Sequence, residues 1–104
     1  MDVPFKEGDI LTLDDQIWIL IFAGLKEGGA IIYHALSSIE HGNLDPYLSL
    51  RTGTGIGHYY KERPIRYATM DEIHTFFTNI EKRGFRWNAK EKKLERFKYV
   101  ESNV

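Results

Sequence analysis

A glycine-rich stretch, with three glycines in the five residues from Gly53 to Gly57, is the first segment whose residue types could do chemistry. Glycines let backbone N–H groups approach a phosphate closely, but nucleotide-binding loops place them between a strand and a helix. Here two tyrosines follow and no Lys-Ser or Lys-Thr pair comes next, so nucleotide binding is the less favoured interpretation. A loop that adapts to a partner protein through glycine, tyrosine and arginine is favoured instead. We predict a binding surface made of Arg51, Gly53, Gly55, Gly57, His58, Tyr59, Tyr60 and Arg63.

A basic segment in the last third of the sequence is the second candidate. Residues 61–98 contain eleven Lys or Arg residues against six acids, whereas residues 1–60 contain three against eight. Cations interleaved with Trp87 and Phe97 could hold single-stranded nucleic acid, because rings stack on bases and cations follow phosphates. The other interpretation is a solvated face whose lysines protect an edge strand from pairing, and the isoelectric point of about 6.4 favours it. The nucleic-acid alternative would use Arg86, Lys90, Lys92, Lys93 and Arg96.

The histidines and acids show no spacing that is typical of a metal or catalytic site. No pair of histidines follows the H-x-H or H-x-x-x-H pattern, so zinc ligands would have to converge from separate elements. Asp14 and Asp15 are adjacent in a turn, so their carboxylates diverge instead of facing one gap. We therefore expect no catalytic residue, no metal ligand and no cofactor. A small hydrolase is the second alternative, and His34 is expected to be a hydrogen-bonded core residue.

Strands form most of the framework that must position these residues. Consecutive apolar residues from Ile17 to Phe22 predict a strand buried on both faces, with a bulge near Gly24. The segment Lys26–Gly29 is typical of a hairpin connection to a partner strand over residues 30–37. Alternation on that partner strand predicts two faces: Ile32, His34 and Leu36 on one, and Ile31, Tyr33 and Ala35 on the other.

One helix is predicted over residues 70–83. Thr69 is its N-cap and Glu72 stands three residues later, which is the pattern of a reciprocal capping box. Four apolar residues at helical spacing give a single stripe: Ile73, Phe76, Phe77 and Ile80. Alternation after Gly84 predicts a hairpin over residues 85–99, with its apolar side chains inward: Phe85, Trp87, Leu94 and Phe97.

Length and composition indicate one domain over residues 1–104. The order of strands, helix and hairpin predicts an α+β fold, with a curved antiparallel sheet or small open β-barrel over residues 5–67 packed against the helix. The chain has no cysteine, which excludes a disulfide scaffold and a cysteine nucleophile. The longest apolar run, residues 17–25, is far shorter than the ~20 residues of a membrane span. We expect a cytoplasmic location and no membrane partner.

Three stretches resemble small proteins that are abundant in gut Bacteroidales and in their phages and prophages. They are Lys6–Leu11, Ile17–Phe22, and the segment from Arg66 to Glu95 with its Ala68-Thr69 cap and its Gly84-Phe85-Arg86-Trp87-Asn88 ribbon. The resemblance implies an accessory protein of a mobile element. It carries no catalytic residue over to this chain.

These observations predict a non-enzymatic binding module of phage or mobile-element origin that acts through protein–protein interaction. An unpaired edge strand would also allow a homodimer.

Overall fold

The computed structural model describes residues 3–14, 18–38, 48–59 and 64–96, which confirm the expected α+β class. Strands and one α-helix make up most of these ranges. Their bounds are β1 Ile10–Leu13, β2 Trp18–Leu25, β3 Ala30–Ser38, β4 Leu48–Ser49, β5 Thr54–Tyr59, β6 Ile65–Tyr67, α1 Met70–Lys82, β7 Phe85–Asn88 and β8 Lys93–Arg96. A short 3-10 turn, Glu27–Gly29, connects β2 to β3 as the hairpin prediction required.

Six of the strands form one antiparallel sheet in the order β4–β3–β2–β1–β6, and β5 also pairs with β3. Ile56 of β5 and Ile65 of β6 come from opposite edges of this sheet, yet both pack against the same apolar cluster. The sheet is therefore curved around that cluster, which we call the concave cluster. Within the described ranges β5 does not pair with β6, so the sheet is open and the barrel form of the prediction does not close.

Apolar side chains cover both faces of the sheet. The concave cluster consists of Leu11, Leu13, Leu20, Phe22, Ile31, Tyr33 and Leu36. On the other face, the helix-side cluster consists of Ile19, Ile21, Ala35, Phe76 and Ile80. Because β2 contributes to both clusters, its consecutive apolar residues Ile19, Leu20, Ile21 and Phe22 are all buried, which agrees with the predicted burial of both faces.

The pairing of β2 with β3 has two irregularities: β3 has one extra residue opposite the step from Ile21 to Phe22, and β2 has one, Ala23, next to Gly24, where the sequence predicted a bulge. Ile21 pairs with Ala35 whereas the next residue, Phe22, pairs with Tyr33, so His34 is left over as a bulge. The bulge moves Leu36 onto the concave face with Tyr33 and leaves Ala35 on the helix side. The strict alternation predicted for this strand is therefore wrong from Ala35 onward, because a bulge shifts every later side chain to the opposite face.

Helix α1 begins at the capping box that the sequence predicted. The Thr69 side chain accepts a hydrogen bond from the Glu72 N–H at 3.2 Å, and the Glu72 carboxylate accepts one from the Thr69 N–H at 2.8 Å. The same carboxylate accepts two hydrogen bonds from the guanidinium of Arg66 in β6, at 3.0 and 2.9 Å. These guanidinium bonds, with the Thr69 contacts, hold the pKa of Glu72 below its usual value.

Glu72→Gln removes a charge that stabilises the folded state at neutral pH. A carboxyl group whose pKa is lowered by folding adds stability above its unfolded pKa and loses it as the pH falls through the folded value. We expect wild type to exceed Glu72→Gln in free energy of unfolding at pH 7, with the difference disappearing near pH 2. Urea unfolding at a series of pH values measures it, and a difference that does not change with pH would contradict the prediction.

Candidate functional site

The described residues of the predicted binding surface lie along the outer edge of β3. Strand β4 pairs with residues 36–37 of β3, and β5 continues in the same direction along residues 30–33. Together they form one interrupted edge strand, which we call the β4–β5 edge. The Tyr33 hydroxyl of β3 lies 2.7 Å from the Ser49 Oγ of β4, and this buried hydrogen bond helps to hold β4 against β3.

Most of the glycine-rich segment is a strand: of the two forms that its glycines favour, a loop or a frayed edge strand, the structure shows an edge strand. Gly55, Gly57, His58 and Tyr59 all lie in β5, which runs against β3 with an irregular register. Burial of Ile56 against the concave cluster, together with the hydrogen-bonded ladder, offsets the low strand propensity of the glycines. The predicted contacts Tyr60 and Arg63 lie outside the described residues.

A tight turn interrupts the edge between β4 and β5. The Thr54 N–H donates to the Arg51 carbonyl at 3.2 Å, and the Gly53 N–H donates to the Tyr33 carbonyl at 2.8 Å. Gly53 has a φ of +84°, a conformation that side-chain-bearing residues rarely adopt. The turn therefore requires glycine at position 53 because of its backbone conformation. The same turn leaves Arg51 exposed next to the start of β5.

Gly55 differs, because the fold does not require glycine there. Its φ lies outside the left-handed region, and a Cβ at this position would lie 3.7 Å from the Ile31 carbonyl oxygen and 3.9 Å from Ile32 Cγ2. Those are ordinary van der Waals distances. A glycine in a strand often marks a close approach of a ligand or another backbone. Gly55 thus leaves bare backbone next to Ile32 on the face opposite the concave cluster.

The two edges of the sheet are protected to different extents. Strand β6 has three residues, follows Pro64 and carries Arg66, and these are features that hinder strand addition. Strand β5 has six residues, and its sequence Thr-Gly-Ile-Gly-His-Tyr contains no Lys, Arg, Asp, Glu or Pro. Among the described strands, β5 pairs only with β3. Among the described residues, the β4–β5 edge is therefore the side of the sheet that is more open to another chain.

A buried histidine, His34, lies on the helix side of the sheet, where the bulge of β3 places it. Its side chain is 8% exposed, and Nε2 lies 2.7 Å from the Glu7 carboxylate. Since a carboxylate only accepts, Nε2 donates this hydrogen bond. The Trp87 ring of β7 lies against the imidazole, with 5.0 Å between centroids. His34 is the hydrogen-bonded core residue that the sequence indicated, and its contacts tie the hairpin to the sheet.

Glu7 reaches this histidine because of a turn that depends on a glycine. The Asp9 N–H donates to the Lys6 carbonyl, and Gly8 has a φ of +99° at the third position of the turn. The Gly8 N–H donates to the Phe22 carbonyl, and the Phe22 N–H donates to the Asp9 carbonyl. Gly8 and Asp9 thus both oppose Phe22, which is the pattern of a G1 bulge. The sequence offered no signal for the contact between Glu7 and His34, because it needs a bulge in each of two strands.

The basic hairpin presents few of the features of a stacking platform. Trp87 is half-buried and packs against the helix-side cluster and His34. The Arg86 Nε lies 3.5 Å from a Glu95 carboxylate oxygen, and the Arg96 guanidinium lies over the Phe85 ring at 5.2 Å. Lys90, Lys92 and Lys93 are exposed. The packing of Trp87 and the exposure of these lysines fit a solvated face better than a stacking platform, and Phe97 lies outside the described residues.

Comparison with family models, curated proteins and solved structures finds no match for the chain. Within the described part of the chain, no helix is long and apolar enough to cross a membrane. No group of three or more His, Asp or Glu residues in that same part could hold a metal ion.

Alanine at Gly53 and at Gly55 should change stability in opposite directions. Gly53→Ala forces a side chain into a left-handed conformation and should lower the free energy of unfolding by about 1–2 kcal/mol. Gly55→Ala fits its site and reduces the entropy of the unfolded chain, so it should raise that free energy by about 0.4–1 kcal/mol. Urea unfolding of both variants tests this, and a Gly55→Ala loss above about 1 kcal/mol would mean that the fold needs glycine there.

Removal of the Glu7 carboxylate should weaken the docking of the hairpin. Glu7→Ala leaves a buried imidazole N–H without its acceptor and should lower the free energy of unfolding by about 1–3 kcal/mol. Glu7→Gln keeps an acceptor oxygen and should lose less. Chemical unfolding followed by Trp fluorescence in a Trp18→Phe background reports Trp87 alone. Equal stability of Glu7→Ala and its parent would show that the contact contributes nothing.

Proposed function

We propose that this chain is a non-enzymatic protein-binding module that takes up an extended segment of a partner protein along the β4–β5 edge. The observation that carries the proposal is Gly55, a glycine in an edge strand at a position where the backbone conformation and the neighbouring atoms would accept a side chain. A partner strand that approaches this edge would explain a residue without a Cβ at this position.

The dimensions of the edge suit an added strand. Strand β5 has six residues, the usual number for a strand, and they run along residues 30–33 of β3 with one register shift. In strand addition, backbone hydrogen bonds supply much of the affinity and alternate side chains supply specificity. Ile32 and the bare backbone of Gly55 offer an apolar contact to a side chain of the partner on one face.

The framework behind the edge supports binding without a large rearrangement. Strand β3 is fixed on its other side by β2, and Tyr33, Ala35 and Leu36 are buried in the two clusters. The edge is thus preorganised, which lowers the ordering cost of association. Origin in a phage or other mobile element is part of the proposal, on the resemblance of the cap and ribbon motifs described above.

Peptide selection tests the proposal directly. A library of random decapeptides displayed on phage is selected against the immobilised chain, and the affinity of enriched peptides is measured by fluorescence anisotropy. Gly55→Ala should weaken the selected peptides about tenfold while the variant stays folded. Gly55→Lys should abolish binding, because a lysine on an edge strand opposes strand addition.

The matched control is Thr75→Ala, a small change at an exposed position on α1. It should leave the affinity of every selected peptide within twofold of wild type. The proposal fails if no peptide is enriched, or if the peptides bind Gly55→Lys and wild type equally. Binding that tracks substitutions at Lys90 and Lys93, and that falls steeply with salt for single-stranded DNA, would favour the nucleic-acid alternative.

A further inference from the structure

We infer that the segment taken up by the β4–β5 edge is acidic, and that it places a carboxylate on Arg51 about three residues from an apolar side chain that packs over Gly55. This inference rests on the proposed function and names the chemistry of its partner. It follows from the charge of the edge and from the geometry of the turn that separates β4 from β5.

Arg51 is an isolated cation in the sequence. The chain has no other Lys or Arg between Lys26 and Lys61, and the acids outnumber the cations over residues 1–60. Residues 48–59, which form β4, the turn and β5, contain Arg51 and no Asp or Glu. The charge of the edge is therefore positive, within a half of the chain that is otherwise negative.

The structure presents this cation toward solvent. Arg51 is exposed, and among the described residues its side chain forms no ion pair. This contrasts with Arg66, Arg86 and Arg96, each of which contacts a carboxylate or a ring. An exposed guanidinium next to an open edge suits a carboxylate of the incoming segment, since the two groups can form paired hydrogen bonds.

The turn fixes the spacing between the two contacts. Arg51 and Thr54 close a hydrogen-bonded turn, so their Cα atoms lie within about 7 Å of each other. Gly55 is one strand residue further, so its Cα lies within about 10 Å of the Arg51 Cα, which an extended chain spans in about three residues. A Cβ at Gly53, between the two, would have no atom within 4 Å, so the space there is open to a side chain of the partner.

Parallel peptide selections against wild type and Arg51→Glu test the inference. Wild type should enrich decapeptides that carry Asp or Glu about three residues from an apolar residue, and Arg51→Glu should enrich Lys or Arg at the same position. A peptide selected by wild type should bind Arg51→Glu at least tenfold more weakly. Its own Asp- or Glu-to-Ala variant should bind wild type and Arg51→Ala equally, because either change removes the same contact. Lys90→Glu is the control, since it makes the same charge reversal on the hairpin.

The outcomes separate this inference from the proposed function. Peptides that depend on Gly55 but show no acidic preference, or that bind Arg51→Glu as well as wild type, overturn the inference and leave the proposed function standing. Failure to enrich any peptide overturns both. A loss of affinity in Lys90→Glu equal to that in Arg51→Glu would assign the preference to the overall charge of the protein, and would also overturn the inference.

Discussion

Strand β3 is the element on which the rest of the structure depends. It pairs with β2 on one side and with both β4 and β5 on the other, so its register decides how both halves of the sheet are arranged. The extra residue at His34 divides the strand between the two clusters: Ile31, Tyr33 and Leu36 enter the concave cluster, whereas Ala35 enters the helix-side cluster. Without the bulge, Leu36 would face the helix and Ala35 the concave cluster. The helix-side cluster would then be overpacked, and the concave cluster would contain a cavity.

The same bulge connects parts of the chain that are distant in sequence. His34 binds Glu7 in the first turn and contacts Trp87 in the hairpin, so three separate segments meet at one imidazole. Gly8 is close to the same site, where a Cβ would lie 3.6 Å from the Trp87 ring. The hairpin forms a sheet of its own, and this polar contact adds to the apolar packing of Phe85, Trp87 and Leu94 in attaching it.

The parts of the fold that are determined locally could be predicted from the sequence. The helix with its Thr69 cap, the connection at Lys26–Gly29 and the hairpin after Gly84 each depend on neighbouring residues, and the structure confirms them. The faces of β3 and the strand at Thr54–Tyr59 could not be predicted, because a bulge and a long-range pairing decide them. Glycine composition favoured a loop, yet the ladder with β3 and the burial of Ile56 outweigh the local preference. The binding role of these residues therefore stays a prediction, and the conformation of the described ones, in the turn and in β5, had to come from the structure.

The glycine content of β5 also bears on the tendency of this edge strand to aggregate. An uncharged edge strand is a common site of aggregation, because each chain that pairs with it exposes a new unpaired edge. Glycines weaken that tendency, because they lack the interlocking side chains that hold stacked copies together. The irregular pairing between Ile32 and Ala30 further distorts the edge away from a flat template. The strand thus combines an accessible backbone with a poor capacity to recruit copies of itself.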